Sequence, residues 1–323
     1  MELSGRKFLV TGGAGFIGSH LVDTLLREGA GEVVVFDNLV RGTQANLDSA
    51  RHDPRLKVFP VERADLMDRT AVAEAVQGVH GVFHMASHCL GACQENPRAG
   101  FDANVVGTYN LLEACVANDR PRVLFSSSSS VYGNARYVPM DEQHPFNNRN
   151  FYGAGKICGE ALCRVFHAEY GLPYVALRYM NVYGPRQDYR GTYVAVIMRI
   201  IDRLHQGLPP IVNGDGSQRF DFVYVEDVCR ANLLAMEKDA TVDEAINISS
   251  GSSTSVLELC RRIMALMQRE LPVEFVPQKT DVLVTHRVGS TEKAATLLGF
   301  TASTPLDEGL RQTIRWKLNR RDG

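Results

Sequence analysis

The chain has 323 residues, of which 45% are hydrophobic and 22% charged, a composition typical of a globular protein with a large core. Its formal net charge is −2, so neither nucleic acid nor an anionic membrane is an expected partner. We expect no signal peptide and no membrane span, because no apolar run approaches roughly 18 residues. The seven cysteines contain no C-x-x-C pair, which predicts reduced thiols, a cytoplasmic protein and no metal site.

A glycine-rich turn joins the first predicted strand to the first predicted helix. Strand Lys7–Val10 leads into the segment Thr11-Gly-Gly-Ala-Gly-Phe-Ile-Gly18, and a helix follows over Ser19–Arg27. The next strand, Glu32–Phe36, is followed at once by Asp37. The order strand, glycine turn, helix, strand and acid is the context in which a glycine motif indicates dinucleotide binding.

Each glycine of this motif has a separate physical task. Gly12 allows the tight turn, Gly15 lets backbone amides approach a pyrophosphate, and Gly18 lets the helix lie close to the sheet. Asp37 follows Gly18 by 19 residues, near the roughly 20 expected for a carboxylate that binds the adenosine ribose. Because a carboxylate there repels a 2′-phosphate, the sequence predicts NAD rather than NADP, although Arg41 lies close by.

Strands and helices continue to alternate through the first half of the chain. This alternation predicts an α/β protein with a Rossmann-type, doubly wound parallel sheet and right-handed crossovers. Ligands bind beyond the carboxyl ends of such strands, where the glycine turn, Ala86 and the run Ser126–Ser130 all lie. The predicted strands are Leu56–Val61, Gly81–Met85, Arg122–Phe125 and Leu172–Leu177, and the predicted helices are Thr70–Val76, Phe101–Ala117 and a run from Tyr152 through Phe166.

The second half has shorter strands, interleaved with helices. We therefore predict a cofactor domain over residues 1–178 and a smaller C-terminal α/β substrate-binding lobe over residues 179–323, with a soft boundary between them. The predicted helices of this half are Val194–Leu204, Asp227–Met236, Val256–Met267 and Leu306–Leu318, and the predicted strands are Phe220–Val225, Glu244–Ile248 and Val273–Pro277.

Tyr152 and Lys156 form the candidate catalytic pair. Their spacing of four places both side chains on one helix face, about 5–6 Å apart at Cβ. A tyrosine base needs a pKa lowered by about 3 from its usual value of about 10, which corresponds to about 4 kcal/mol. One cation about 4 Å away supplies about that much in a half-wet site. Alone, the Y-x-x-x-K pattern more often marks an exposed aromatic–cation contact, so its context decides.

Several motifs occur in a fixed order along the chain. They are Thr11-Gly-x-x-Gly-x-x-Gly18, Asp37, Asp65-Leu66, the serine run before Val131-Tyr-Gly133, Tyr152-x-x-x-Lys156, Arg178-Tyr-x-Asn-x-Tyr-Gly-Pro185 and Gly214-Asp-Gly216. With these motifs the chain resembles the extended short-chain dehydrogenase/reductases, and within them the nucleotide-sugar epimerase and dehydratase family. The resemblance spans nearly the whole chain.

The resemblance implies roles for individual residues. Tyr152 would be the base, Ser128 the catalytic hydroxyl and Ser130 its support, while Asn181 would contact the diphosphate side of the substrate. It also implies a homodimer that pairs through the helices over Phe101–Ala117 and Ile157–Phe166. The implied cofactor contacts are Gly12, Gly15, Phe16 and Ile17 at the pyrophosphate, Asp37 and Asn38 at the adenosine ribose, Asp65 and Leu66 at the adenine, Ala86 and Ser87 along the cofactor, Lys156 at the nicotinamide ribose, and Tyr179 beside the cofactor.

The serine run favours one reaction within this family. Related 4,6-dehydratases carry Thr-Asp-Glu where this chain has Ser128-Ser129-Ser130, because elimination of water needs a separate acid and base. Serine hydroxyls cannot act as a carboxyl acid at neutral pH, so we predict a 4-epimerase that oxidises sugar C4 transiently with NAD. The alternatives are a dehydratase or reductase with a 4-keto intermediate, and a non-catalytic NAD-binding relative.

Two departures from the family pattern concern the substrate, expected to be a UDP-hexose or UDP-hexuronate. Phe220 occupies the place of an arginine that contacts the substrate diphosphate in epimerases. Arg219 lies one residue early, on the opposite strand face, and is kept as a candidate for substrate contact. Arg287 resembles the sugar-facing arginine of glucuronate-processing relatives, so it is expected to pair with a carboxylate unless it is a surface residue. Asp188 and Arg190 are further candidates for substrate contact.

Overall fold

Seven parallel strands form the central sheet in the part of the chain that the structure describes. That part comprises residues 1–188, 195–277 and 284–319 of a computed structural model. The strands of this sheet and of the smaller sheets are, in chain order, β1 Lys7–Thr11, β2 Glu32–Phe36, β3 Leu56–Val58, β4 Gly81–His84, β5 Arg122–Ser128, β6 Tyr174–Tyr179, β7 Asn181–Tyr183, β8 Ile211–Asn213, β9 Arg219–Phe220, β10 Phe222–Tyr224, β11 Glu244–Ile248, β12 Thr254–Ser255, β13 Glu274–Val276 and β14 His286–Arg287.

The central sheet has the order β11-β6-β5-β4-β1-β2-β3, so the chain reverses direction across the sheet between β1 and β4. This is the doubly wound order with one added strand, and the predicted fold class is confirmed. The helices are α1 Phe16–Arg27, α2 Arg69–Val76, α3 Leu90–Glu95, α4 Pro97–Phe101, α5 Gly107–Ala117, α6 Phe151–Tyr170, α7 Val196–His205, α8 Val225–Glu237, α9 Val256–Leu266, α10 Glu292–Leu298 and α11 Leu306–Asn319.

Helix α6 carries the candidate catalytic pair and has a capping signal at each end. The Asn150 side chain accepts a hydrogen bond from Gly153 N at 2.8 Å, as expected at an N-cap. Gly171 ends the helix in the left-handed conformation at φ +69°, which a residue without Cβ adopts at low cost. The helix therefore begins one residue before Tyr152, and both Tyr152 and Lys156 lie in its first two turns.

The C-terminal half contributes to the central sheet. Strand β11 pairs with β6 in parallel, and α8 packs against α1. Smaller sheets hold the remaining strands: β7 with β10, β8 with β13, and β9 between β12 and β14. A division at residue 178 stays a prediction, since strands of the second half complete the first sheet. No helix of the described residues is long and apolar enough to cross a membrane.

Three predicted elements differ from the structure in ways that affect the site. Strand β5 extends to Ser128, so most of the serine run lies in the sheet rather than in a loop. The predicted strand Phe220–Val225 is divided at Asp221 into β9 and β10. The predicted helix Phe101–Ala117 contains a π-helical turn over Asp102–Val106. Helix α7 begins at Val196, and residue 194 of its predicted range lies outside the described residues.

Candidate active site

A cleft of about 710 Å³ lies at the carboxyl ends of the central strands. The twelve residues predicted to contact the cofactor line it, and so do Gly18 and Tyr152. The twelve are Gly12, Gly15, Phe16, Ile17, Asp37, Asn38, Asp65, Leu66, Ala86, Ser87, Lys156 and Tyr179. A dinucleotide is the ligand size expected of such a cleft at a switch point of a doubly wound sheet.

The glycine turn and Asp37 fit a dinucleotide. Gly12 has φ +68°, and a Cβ there would lie 2.7 Å from Ala86 N, so only glycine leaves the cradle open. Asp37 accepts hydrogen bonds from Ala14 N at 2.9 Å and Leu39 N at 2.8 Å. These bonds fix both carboxylate oxygens while leaving lone pairs for ribose hydroxyl groups. Burial raises the pKa of Asp37, against the effect of these amide bonds.

Two ion pairs hold the segment Gly184–Asp188 over the cofactor cleft. Arg41 Nη2 lies 2.6 Å from Asp188 Oδ2, and Arg186 Nη2 lies 2.7 Å from Asp23 Oδ2. Arg186 and Asp188 both line the cleft. Arg41 is thus engaged by a carboxylate, which favours NAD over a cofactor with a 2′-phosphate. We call the Arg41–Asp188 pair the clasp.

Tyr152 and Lys156 line the same cleft, and the ammonium group is bonded to a backbone carbonyl of β5. Lys156 Nζ donates to Ser126 O at 2.6 Å and lies 5.7 Å from the centre of the Tyr152 ring. Burial raises the pKa of Tyr152 to about 12, opposed by Ser128 and Arg287. The lowering of the Tyr152 pKa by Lys156 stays a prediction; in the chain alone the effect of burial is larger.

Ser128 and Ser130 of the serine run have different environments. The Ser128 hydroxyl interacts with the Tyr152 phenol and favours its ionised form. Ser128 Oγ also accepts a hydrogen bond from Ser130 N at 3.1 Å. Ser130 is buried, in a short 3₁₀ turn that follows β5. These contacts place Ser128 beside the base, while Ser130 fixes the turn that presents it.

Arg287 and Arg219 lie on opposite faces of the small sheet. Arg287 is in register with Phe220 across the parallel pair β14–β9, and His286 is in register with Arg219. Arg219 is engaged by Ser253, through Nε to Oγ at 2.8 Å and Nη2 to O at 2.7 Å. The predicted substrate contact of Arg219 therefore lacks structural support, because alternate residues of a strand face opposite sides.

Arg287 is directed towards the candidate base. Its Nε is shielded from solvent and has no hydrogen-bond partner among the described residues, while Nη2 lies 3.5 Å from Gly133 O. Burial lowers the pKa of Arg287 to about 10, and the nearby Tyr152 phenol opposes that effect. A shielded guanidinium with an unused donor is costly unless an anion approaches it.

Of the three remaining candidates for substrate contact, two lie among the described residues. Asn181 Nδ2 donates to Asp221 O at 3.1 Å, so its amide group lies at the pair β7–β10. Asp188 takes part in the clasp and lines the cleft. Arg190 lies outside the described residues.

Two side chains of the site were missed by the sequence analysis. Glu160 and Arg178 form a buried ion pair, with Arg178 Nη2 2.7 Å from Glu160 Oε2. The sequence could have indicated Glu160, since it follows Lys156 by four residues and therefore lies on the same face of the helix. Nothing in the sequence showed that Arg178, on β6, would be its partner.

With the fold and cleft established, the chain can be assigned to a family. A model of the NAD dependent epimerase/dehydratase family matches residues 8–249, and the chain belongs to this family. The curated UDP-glucose 4-epimerase of Mycolicibacterium smegmatis is 35% identical over 319 residues, covering 97% of this chain and 99% of that protein.

Solved structures of two epimerases are similar along nearly the whole chain. One is a UDP-N-acetylglucosamine 4-epimerase from Methanobrevibacter ruminantium in complex with UDP-N-acetylmuramic acid, at 33% identity and TM-score 0.91, covering 98% of this chain and 99% of that one. Another is a UDP-glucuronic acid 4-epimerase from Bacillus cereus with UDP-glucuronic acid and NAD, at 30% identity and TM-score 0.88, covering 96% and 98%. The predictions of an extended short-chain dehydrogenase/reductase, of NAD as cofactor and of an NAD-dependent epimerase are confirmed.

Proposed function

We propose that this protein is an NAD-dependent nucleotide-sugar 4-epimerase that acts on a UDP-hexose or UDP-hexuronate. The observation that carries the proposal is the placement of Tyr152 in the cofactor cleft beside Ser128, with Ser129 and Ser130 where a dehydratase needs carboxyl groups. Inversion at C4 needs one proton acceptor and one hydride acceptor, whereas elimination of water needs an additional acid and base. Similarity to three 4-epimerases supports the same conclusion.

Each residue of the site has a task in this reaction. Tyr152 takes the proton of the sugar 4-hydroxyl group, and the Ser128 hydroxyl orients that group and stabilises the ionised phenol. Lys156, held by Ser126 O, presents its ammonium group to the cofactor ribose. NAD, held by the residues that line the cleft, would supply a reversible hydride acceptor for sugar C4. Proton transfer back from Tyr152 completes inversion without net oxidation.

The high pKa of Tyr152 in the chain alone constrains when proton transfer occurs. Burial keeps the phenol protonated at neutral pH, so it must gain positive charge nearby before it can act as a base. Arg287 is one such charge, because the guanidinium lowers the pKa of this phenol. We therefore expect the Tyr152 phenolate to form only in the complex with substrate and oxidised cofactor.

Arg287 favours a substrate with an acidic sugar. Its shielded Nε has no hydrogen-bond partner in the described part of the chain, lies on the Phe220 face of β14 and is close to Tyr152. An arginine–carboxylate pair would satisfy this donor, and a carboxylate at C6 lies close to the C4 hydroxyl that Tyr152 must reach. We therefore place UDP-hexuronates ahead of neutral UDP-hexoses.

A panel of UDP-, GDP-, CDP- and dTDP-sugars, incubated without added cofactor, tests the proposal. We expect inversion at C4 of a UDP-sugar, detected by NMR, with no accumulation of NADH. Loss of water to a 4-keto-6-deoxy sugar would identify a dehydratase, and turnover that consumes added NADH would identify a reductase. Tight NAD binding with no turnover of any sugar would identify a non-catalytic relative.

The molecule is expected to work as a homodimer in the cytoplasm. Apolar side chains on α5 and α6 remain largely exposed, including Tyr109 at 44%, Val165 at 54% and Tyr170 at 51%. Tyr109 and Tyr170 both pack on Phe166, with ring centres 5.4 and 5.5 Å away, so they form one continuous patch. A cytoplasmic location is supported by the seven unpaired cysteines.

A further inference from the structure

Three side chains on one face of α6 contact three consecutive residues of β5. Tyr152 interacts with the Ser128 hydroxyl, and Lys156 Nζ donates to Ser126 O at 2.6 Å. Glu160, one further helical turn along, accepts a hydrogen bond from Ser127 Oγ. Two of these contacts belong to the reaction described above. The third does not, because Glu160 is 3% exposed and is not among the described residues that line the cleft.

Glu160 is fixed from a second strand as well. Arg178 of β6 donates to both carboxylate oxygens, with Nε–Oε1 2.9 Å and Nη2–Oε2 2.7 Å. Arg178 itself is held by the Tyr132 hydroxyl at 2.9 Å and Glu142 O at 3.1 Å. The carboxylate therefore ties α6 to both β5 and β6 through a buried, bidentate ion pair.

Stability alone does not account for this buried pair. Apolar residues of similar volume in place of a buried ion pair are often as stable or more stable. Directional hydrogen bonds add a defined position of the helix. A Cβ at Gly159 would lie 2.2 Å from Phe125 Cζ, so α6 lies directly against β5 at this point. A rotation or slide of the helix along this contact would move Tyr152 away from Ser128.

Glu160 also supplies the formal negative charge that faces Lys156. Burial lowers the pKa of Lys156 to about 8, whereas Cys93, Glu160 and Cys163 raise it. Burial raises the pKa of both thiols and lowers that of His84, which also faces Lys156, to about 3. Around neutral pH these three groups are uncharged, so among the described groups that influence Lys156 the carboxylate carries the charge.

We propose that Glu160 is a positioning residue, which holds the catalytic helix in the register where Tyr152 meets Ser128 and Lys156 meets the Ser126 carbonyl. The inference rests on the proposed epimerase function for the tasks of Tyr152 and Lys156. Glu160 would touch neither cofactor nor substrate. It would act through the charge that it presents to Lys156 and through the position that it gives to α6.

The first test measures Lys156 directly in the NAD-bound protein. The chain has seven lysines, so the ¹³Cε signal of Lys156 can be titrated by NMR and assigned by its loss in Lys156→Arg. In Glu160→Gln the pKa of Lys156 should fall by about one, as expected for loss of a charge one helical turn away. An unchanged pKa would overturn the proposal. This readout needs no turnover, so it stands even if no sugar is epimerised.

The second test removes the contact and leaves the ion pair intact. Ser127→Ala should lower kcat about tenfold without changing KM for the nucleotide sugar, because a displaced base affects the chemical step more than binding. Tyr174→Phe is the matched control: it removes a hydroxyl of a buried β6 residue that bonds Asp243 rather than Arg178 and should keep the wild-type kcat. An unchanged kcat in Ser127→Ala, or an equal loss in Tyr174→Phe, would show a purely structural role. This pair decides the question if Glu160→Gln does not fold.

Discussion

Arg287 and Phe220 lie side by side on neighbouring parallel strands, and both side chains face the same side of the small sheet. The cation on this face therefore comes from β14, while β9 contributes an aromatic ring. The guanidinium reaches towards Gly133 O and Tyr152, which is the region where the sugar must lie for Tyr152 to act on C4.

Arg287→Gln should selectively impair turnover of an acidic sugar. Loss of a hydrogen-bonded charge partner costs about 1.5–3 kcal/mol, or about 10- to 150-fold in kcat/KM for a UDP-hexuronate. A neutral UDP-hexose should be affected less, so the ratio of the two specificity constants reports the contact. Arg219→Gln, which alters the residue held by Ser253, should leave that ratio unchanged. A ratio unaffected by Arg287→Gln would rule out the carboxylate contact.

Tyr152→Phe should retain NAD and lose turnover by about 10²–10⁴-fold, the range associated with a positioned general base. The phenyl ring keeps the cation–π contact with Lys156 Nζ, now 5.7 Å from the ring centre, so the fold should persist. Bound NAD is measured after denaturation, and C4 inversion by NMR. Turnover at the wild-type rate would eliminate this residue as the base.

Lys156→Met should stabilise the cofactor-free protein while abolishing activity. Burial lowers the pKa of Lys156 from 10.5 to about 8, which corresponds to about 3 kcal/mol of destabilisation while the unfolded state retains the proton. The folded pKa is the lower one, so this cost is complete below pH 8 and disappears between about pH 8 and 10.5. Denaturant unfolding of both proteins should therefore give a free-energy difference that shrinks over that interval. A difference that is constant with pH would contradict the prediction.

Asp188→Ala should accelerate NAD release about fivefold, because the clasp is a partly exposed ion pair contributing about 1 kcal/mol. Its contribution should weaken at high ionic strength. Asp53→Ala is a matched control, since the Arg55–Asp53 pair has a similar distance, 2.7 Å, and similar exposure, 38% and 23%, against 35% and 23% for the clasp. NAD release is followed by fluorescence after dilution into a scavenging dehydrogenase. Equal rates for the two variants would show that the clasp does not retain the cofactor.

Val165→Glu should convert a dimer into a monomer, because it introduces a charge into the exposed apolar patch around Phe166. Light scattering coupled to size exclusion measures the mass directly. Val138→Glu, at a residue 45% exposed on a loop, is the control and should leave the dimer intact. A wild-type protein that is monomeric at micromolar concentration would exclude the proposed pairing.

The sequence predicted best those parts of the site that depend on local spacing. Gly12, Gly15, Gly18 and Asp37 are separated by fixed intervals, and the turn that they form has few alternatives once a strand precedes it. Tyr152 and Lys156 share a face because a helix has 3.6 residues per turn. Motifs of this kind position the cofactor residues independently of the rest of the chain.

The sequence predicted least well those features that depend on contacts between distant segments. No local pattern indicated that the carbonyl of Ser126 accepts a hydrogen bond from Lys156 Nζ, or that burial raises the pKa of Tyr152. The pairing of Glu160 with Arg178 requires α6 and β6 to be packed together. The clasp likewise joins residues 147 positions apart.

By itself the sequence determined the α/β class, the cofactor cradle and the candidate for the base, since these follow from short periodic patterns of glycine, acid and tyrosine. Only the tertiary structure decided where the charges act. Hydrogen-bond partners and burial set the ionisation of Tyr152, Lys156 and Arg287, and strand register placed Arg287 and Arg219 on opposite faces of the small sheet. Register and burial are properties of packed elements, and no local pattern of residues specifies them.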